Sequence, residues 1–206
     1  MATLKVPPVI ECGVATYVLP GQTESGDRHL VRHRPGSTLV AAVDGLGHGD
    51  EAAFAAKTAV SILEGSGDDS VVALMQQAHE GLRATRGVVM SMACIDSVQG
   101  LLTWVGVGNV LGVMLRRRGP KKTAREELLL RGGVVGSQLP ALHAAVMPIA
   151  KGDVVVFATD GIRAEFTEGV SVLEAPQKLA NRIMTDCCRG NDDALVIAAR
   201  YLENNG

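Results

Sequence analysis

Three stretches of this sequence place carboxylates where they can do chemistry. LVAAVDG and VVVFATDG each close an apolar run on an Asp-Gly pair, Asp44-Gly45 and Asp160-Gly161, while GNDDALVIAA opens one with Asp192 and Asp193. If the run at 194–200 is a strand antiparallel to one of the other two, its start shares the sheet edge where theirs end. Carboxylates gathered there repel and raise one another's pKa values, and a cation is the simplest remedy. Oxygen ligands without a supporting His or Cys set favour Mg²⁺ or Mn²⁺ over zinc. Three or four Asp residues can hold two such ions about 3.5 to 4 Å apart, with a bridging water acidic enough to act as nucleophile, an arrangement suited to phosphoester hydrolysis. Gly45, lacking a side chain, lets its carbonyl approach an ion closely.

Taken singly, each piece has a plainer reading. An isolated Asp-Gly is most often a turn, although the segment after Asp44-Gly45 reads as helix and a tight hairpin does not fit. GLGHG at 45–49 lacks the Lys-Ser/Thr of a P-loop and fails G-x-G-x-x-G, because Asp50 stands where the last glycine belongs. His48 alone is more often a loop residue than a catalyst, and Asp27 in TESGDRH is by itself an ordinary loop acid.

The elements that must position these residues follow from periodicity. Runs rich in Val, Leu and Ile at 38–43, 88–95, 101–107, 110–115, 127–131, 153–159 and 194–200 read as strands. Segments at about 50–64, 70–86 and 174–188 read as helices, with apolar residues at three and four spacings such as Val71, Leu74, Met75, Ala78 and Leu82. One strand, two helices, a cluster of strands, a strand, a helix and a last strand do not make the alternation of a doubly wound parallel sheet. Antiparallel sheets covered by helices fit better. The charged stretch RRRGPKKTAREE at 116–127 reads as a hairpin tip.

Composition narrows the classes. The chain of 206 residues, 47% of them hydrophobic, suits one domain with a sizeable core. A net charge of −2 provides no basic field for nucleic acid. Cys12, Cys94, Cys187 and Cys188 form no C-x-x-C pair and read as reduced thiols. The start of the chain does not look like a secretion signal. The apolar stretch at 101–115 is broken by Gly and Asn and falls short of a membrane span. The expectation is a cytoplasmic protein with no membrane or nucleic-acid partner.

In combination, SGD at 25–27, VDGLGHG at 43–49, GVGN at 106–109, KGDVVVFATDGI at 151–162 and NDDALVIAA at 191–199 resemble the PPM family of metal-dependent protein serine/threonine phosphatases, in its bacterial branch with SpoIIE and the Rsb phosphatases. The resemblance spans about residues 12 to 200, and its short stand-alone form is similar to members of RsbX type. It implies an α+β fold, an αββα sandwich of two mostly antiparallel sheets flanked by helices, as one phosphatase domain over 1–206. It also implies two Mn²⁺ or Mg²⁺ ions. Asp44 would bridge both, Asp27 and the Gly45 carbonyl would serve one, Asp160 and Asp192 the other, and Asp193 would be a supporting or alternate ligand. Asp44 and Asp160 are the implied catalytic acids, with His48 a candidate proton donor. Asn109 stands where many relatives have Asp, which argues against a third, Asp-dependent ion. The implied substrates are phosphorylated STAS-domain stressosome proteins of RsbS and RsbR type. The alternatives are another anti-sigma-factor antagonist, of RsbV or SpoIIAA type, a small-molecule phosphohydrolase, or an inactive module that binds phosphoproteins.

Overall fold

Successive residues of a strand face opposite sides of its sheet, and the central runs here are apolar at nearly every position because both sides are buried. The computed structural model describes residues 9–67, 70–117, 123–168 and 170–202. Its strands are β1 (Ile10–Tyr17), β2 (Asp27–Arg34), β3 (Ser37–Gly45), β4 (Val88–Asp96), β5 (Leu101–Val107), β6 (Leu111–Arg117), β7 (Thr123–Glu127), β8 (Ala145–Pro148), β9 (Val154–Ala158) and β10 (Ala194–Tyr201). The helices are α1 (Asp50–Gly65), α2 (Val71–Gly81) and α3 (Pro176–Cys187). One sheet runs β1-β10-β9-β6-β7 and the other β2-β3-β4-β5-β8. Every named strand pairing is antiparallel.

Alternation sorts the side chains into three cores. Val40 and Ala42 of β3, Ile95 of β4 and Trp104 of β5 meet Val155 and Phe157 of β9 and Leu195 and Ile197 of β10 between the sheets. The residues in between, Leu39, Ala41 and Val43, face outward onto Ala55, Ala59 and Leu63 of α1. On the other flank, Val154, Val156, Val196 and Ala198 pack against Leu179, Ala180 and Ile183 of α3. The layers are therefore α, β, β and α, the sandwich that the resemblance implies.

The buried face of α1 is mostly alanine, with Ala52, Ala55, Ala56 and Ala59 at 0% exposure, so the helix axis comes close to β2 and β3. Asp50 and Glu51 in its first turn suit the positive end of the helix dipole. At the far end, Arg32 and Arg34 of β2 donate to the carbonyls of Leu63, Ser66 and Gly67, a placement of cations on last-turn carbonyls that holds α1 down.

Several elements depart from the sequence reading. The strand expected at 127–131 lies earlier, at 123–127, because β6 pairs with the charged residues themselves, Arg116 opposite Ala124. Beyond them the chain crosses toward the other sheet: Leu128 donates to Gly112 O at 2.8 Å and Arg131 bridges Val107. The tip of the expected hairpin, 118–122, is outside the described residues. Helix α2 stops at Gly81 and not at 86, since Thr85 Oγ1 donates to Leu82 O at 2.8 Å and accepts from Gly87 N at 3.0 Å, folding the segment into a turn. Strands β1, β2 and β8, unforeseen in the sequence, are all at sheet edges.

Phe157→Ala, which removes a ring that is 0% exposed from between the sheets, should cost about 3–5 kcal/mol. Denaturant unfolding checks this as a lowered midpoint with an unchanged slope.

Candidate metal centre

Every acidic residue arrives at this site from the end of a strand. Asp27 opens β2 and Asp44 lies near the end of β3, and the register sets them directly opposite each other. Asp160 follows β9, and Asp192 and Asp193 precede β10. β10 is antiparallel to β9, as the one-edge argument requires, with Ala158 opposite Val196. β3 lies in the facing sheet, so the cluster spans the ends of both sheets.

The glycines after the two acids make that convergence possible. A Cβ on Gly45 would stand 2.1 Å from the Ala52 carbonyl oxygen of α1, and one on Gly161 would stand 2.0 Å from the Asp193 carbonyl oxygen. No other residue fits at either place without moving α1 or the Asp192–Asp193 loop. The structure thus gives the glycine at 45 a packing reason, the contact of α1 with the strand end.

Asp44, Leu46, Gly47, His48, Val89, Asn109, Asp160 and Asp192 line a pocket of about 190 Å³. Asp27 and Asp193, 4% and 5% exposed, do not line it. Asp193 has both oxygens engaged by main-chain donors, Oδ1 by Leu19 N at 2.8 Å and Oδ2 by Gly26 N at 2.6 Å. It therefore clamps the segment that carries Asp27. Two residues outside the expected acid set complete the arrangement. Thr159 Oγ1 donates to Asp27 Oδ2 at 2.7 Å and accepts from Leu195 N at 2.8 Å, tying one sheet to the other. Asn109 Nδ2 donates to Asp160 Oδ2 at 2.8 Å. The signal for Thr159 is its place directly before Asp160 at the end of a buried strand, where a hydroxyl needs a partner.

Burial, then repulsion from Asp27, Asp160, Asp192 and Asp193, pushes Asp44 up to about 9. Burial is also the main cause at Asp27, raised to about 7 against the opposing bond from Thr159, with Asp193, Asp160 and Asp192 adding to the rise. Asp160 is raised by burial and by Asp192, while Asn109 and Arg189 pull it back. Buried oxygen donors with surplus negative charge, eased only at Asp160 by Arg189 among the described residues, fit a hard divalent ion. Among the described residues, no three acidic, His or Cys side chains are already closed around one point. Coordination in such a pocket would draw on main-chain oxygen and water as well, which is how magnesium is usually held.

The family profile of Stage II sporulation protein E (SpoIIE) matches residues 34–202. Among solved structures, a chain from work on the bacterial stressosome as a modular system adapted to control secondary messenger signaling is 31% identical, covering 93% of this chain and 99% of that one with a TM-score of 0.82. RsbX in complex with magnesium is 18% identical, covering 93% and 95% of the two chains, TM-score 0.81. The catalytic domain of the serine/threonine phosphatase PstP in complex with two manganese ions is 16% identical, covering 95% and 99%, TM-score 0.70. No curated protein matches the sequence.

The raised carboxylates set a pH dependence for the ion-free protein. Folded, it keeps protons on Asp44 and Asp27 that the unfolded chain, with aspartates near 3.8, has released. Their contribution to stability is complete below that value and is lost as pH rises through about 7 for Asp27 and about 9 for Asp44. Thermal melts with a chelator should show midpoints falling from pH 5 to pH 9, less steeply for Asp44→Asn. A midpoint rising across that window would contradict the assignment.

Proposed function

We propose that this chain, which belongs to the SpoIIE family and is a metal-dependent protein serine/threonine phosphatase, removes phosphate from serine or threonine in STAS-domain stressosome proteins of RsbS and RsbR type. In this reading residues 1–206 form one phosphatase domain working in the cytoplasm, feeding back negatively on a general stress response. Among the described residues no helix is long and apolar enough to cross a membrane.

The observation that carries the reading is the convergence of Asp27, Asp44, Asp160 and Asp192, from four separate parts of the chain, at the joined ends of two sheets. Retention of all four positions argues against an inactive binding module. Asp44, Asp27 and the Gly45 carbonyl would hold one Mn²⁺ or Mg²⁺ ion, and Asp44, Asp160 and Asp192 a second. Bound there, the two ions would supply a water acidic enough to attack phosphorus and would neutralise charge on the phosphoryl oxygens. Asn109 keeps Asp160 turned into the pocket, and Thr159 fixes Asp27 against the facing sheet. Asp193 supports the set by holding Gly26 and Leu19. His48, on the pocket wall, would protonate the departing serine or threonine oxygen.

The chain that shares 31% identity supports the stressosome substrate. The SpoIIE match supports a second reading, an anti-sigma-factor antagonist of RsbV or SpoIIAA type. Incubating phosphorylated partners of each kind with the protein and Mn²⁺, followed by mass measurement, separates them. Loss of phosphate from the RsbS or RsbR type is the expected result. Asp44→Ala and Asp160→Ala should abolish that loss while keeping a cooperative melt, and undiminished turnover in both would sink the two-ion reading.

A further inference from the structure

A dianionic phosphoryl group has to approach a mouth lined by Asp44, Asp160 and Asp192, so a cation fixed at the rim has a large effect on capture. Two arginines adjoin residues that line it, Arg86 beside Gly47 and Arg189 beside Asp160. Arg86 lies over Gly47, with Nη1 2.5 Å from where a Cβ on that glycine would be, and its guanidinium is ion-paired with Glu51 in the first turn of α1. Its charge is already answered.

Arg189 is held differently. Its main-chain N–H donates to Gly161 O at 2.8 Å, beside the bond from Arg163 N to Cys187 O at 2.9 Å and the bridge between Ile162 and Cys188. Segments 160–163 and 187–189 are thereby laced together, so the root of the side chain is fixed relative to Asp160. The side chain is fixed as well, because Nε donates to the Asp160 carbonyl oxygen at 3.0 Å. Nη1 and Nη2 make no hydrogen bond or ion pair among the described residues, and the residue is exposed. Gly190, with φ of 72°, then turns the chain into Asn191 and Asp192. A guanidinium anchored through Nε keeps a two-pronged donor for an incoming anion and has already lost much of the rotamer freedom that binding would otherwise remove.

We propose that Arg189 binds the substrate phosphoryl group at the mouth of the pocket through its Nη1 and Nη2 donors, an inference that rests on the phosphatase reading for the identity of the ligand. The planar fork matches two phosphoryl oxygens, which a lysine ammonium does not. Arg189 is thus the residue that compensates, on the substrate side, for the acids that line the pocket.

The test is calorimetric titration of inorganic phosphate into the protein at saturating Mn²⁺, for wild type, Arg189→Ala, Arg189→Lys and Arg86→Ala, with Mn²⁺ affinity measured separately. Arg189→Ala should weaken phosphate binding by roughly tenfold or more, the scale of a lost charge-assisted hydrogen bond. Arg189→Lys should recover part of the loss, and Arg86→Ala should stay within about twofold of wild type, as a group already paired would. With a phosphoserine peptide, Arg189→Ala should raise KM by a similar factor and leave kcat nearly unchanged. Equal phosphate affinity in wild type and Arg189→Ala would overturn the proposal, as would an equal loss in Arg86→Ala or no phosphate binding by wild type. Loss of Mn²⁺ affinity alone in Arg189→Ala would also overturn it, since Arg189 would then be only a strut for Asp160. Phosphate binding that depends on Arg189 in a protein that turns over no phosphopeptide would fail the phosphatase reading and leave this inference standing.

Discussion

Asp27 and Asp44 face one another on neighbouring strands, and Asp27 is 4% exposed. Like charges directly opposite weaken a strand pair, and burial removes the water that would screen them. Without a cation, the sheet end can keep these groups only by holding them protonated or by spending stability made elsewhere. The two faces of apolar side chains along β3, β4, β9 and β10 are that reserve. Hydrogen bonds keep the strained end from opening: Thr159 donates to Asp27 across the sheets, and the main-chain N–H groups of Leu19 and Gly26 donate to Asp193. In this arrangement ion binding and fold stability are linked, because whatever neutralises the acids also removes the repulsion.

Small residues set the distances on which that linkage depends. Gly45 and Gly161 admit α1 and the Asp192–Asp193 loop to contact distances that a methyl group would forbid. The alanine face of α1 extends the same principle along the helix, bringing its N-terminal end against the loop that carries His48 while Arg32 and Arg34 anchor its C-terminal end. The helix is thus fixed at one end by charge and at the other by the absence of side chains.

How much of this was legible in the sequence depended on burial. Strands covered on both faces, such as β3, β9 and β10, wrote continuous apolar runs into the chain, and these were read within a few residues of their true ends. Edge strands did not. In β2, DRHLVRHR, alternate residues face solvent or clamp α1, and in β8, AVMP, most positions are exposed. A charged edge strand is hard to tell from a loop by composition, because charge is also what keeps such an edge from pairing with another chain. At the site, the acids were visible by type and spacing. Their supports were not: Thr159 is an ordinary polar residue until the register brings it to Asp27, and Asn109, marked in the sequence only as a missing acid, turns out to hold Asp160. The clamping role of Asp193 depends on contacts to residues 167 and 174 positions away in the chain.

β10 follows every other described strand in the chain, yet it lies in the sheet between β1 and β9, with Ile10 opposite Tyr201. A strand made late that must enter between two strands already made imposes a particular order of assembly. The pairing with β1 closes a loop of nearly the whole described chain, the most costly kind of contact to form early. Asp192 and Asp193 travel with that strand, so the acid cluster is assembled only when sheet insertion completes. During synthesis, the nascent chain therefore carries the Asp27–Asp44 pair of the β2–β3 hairpin before Asp192 and Asp193 have been added. The full set of acids, and with it the full repulsion among them, exists only once β10 is paired between β1 and β9.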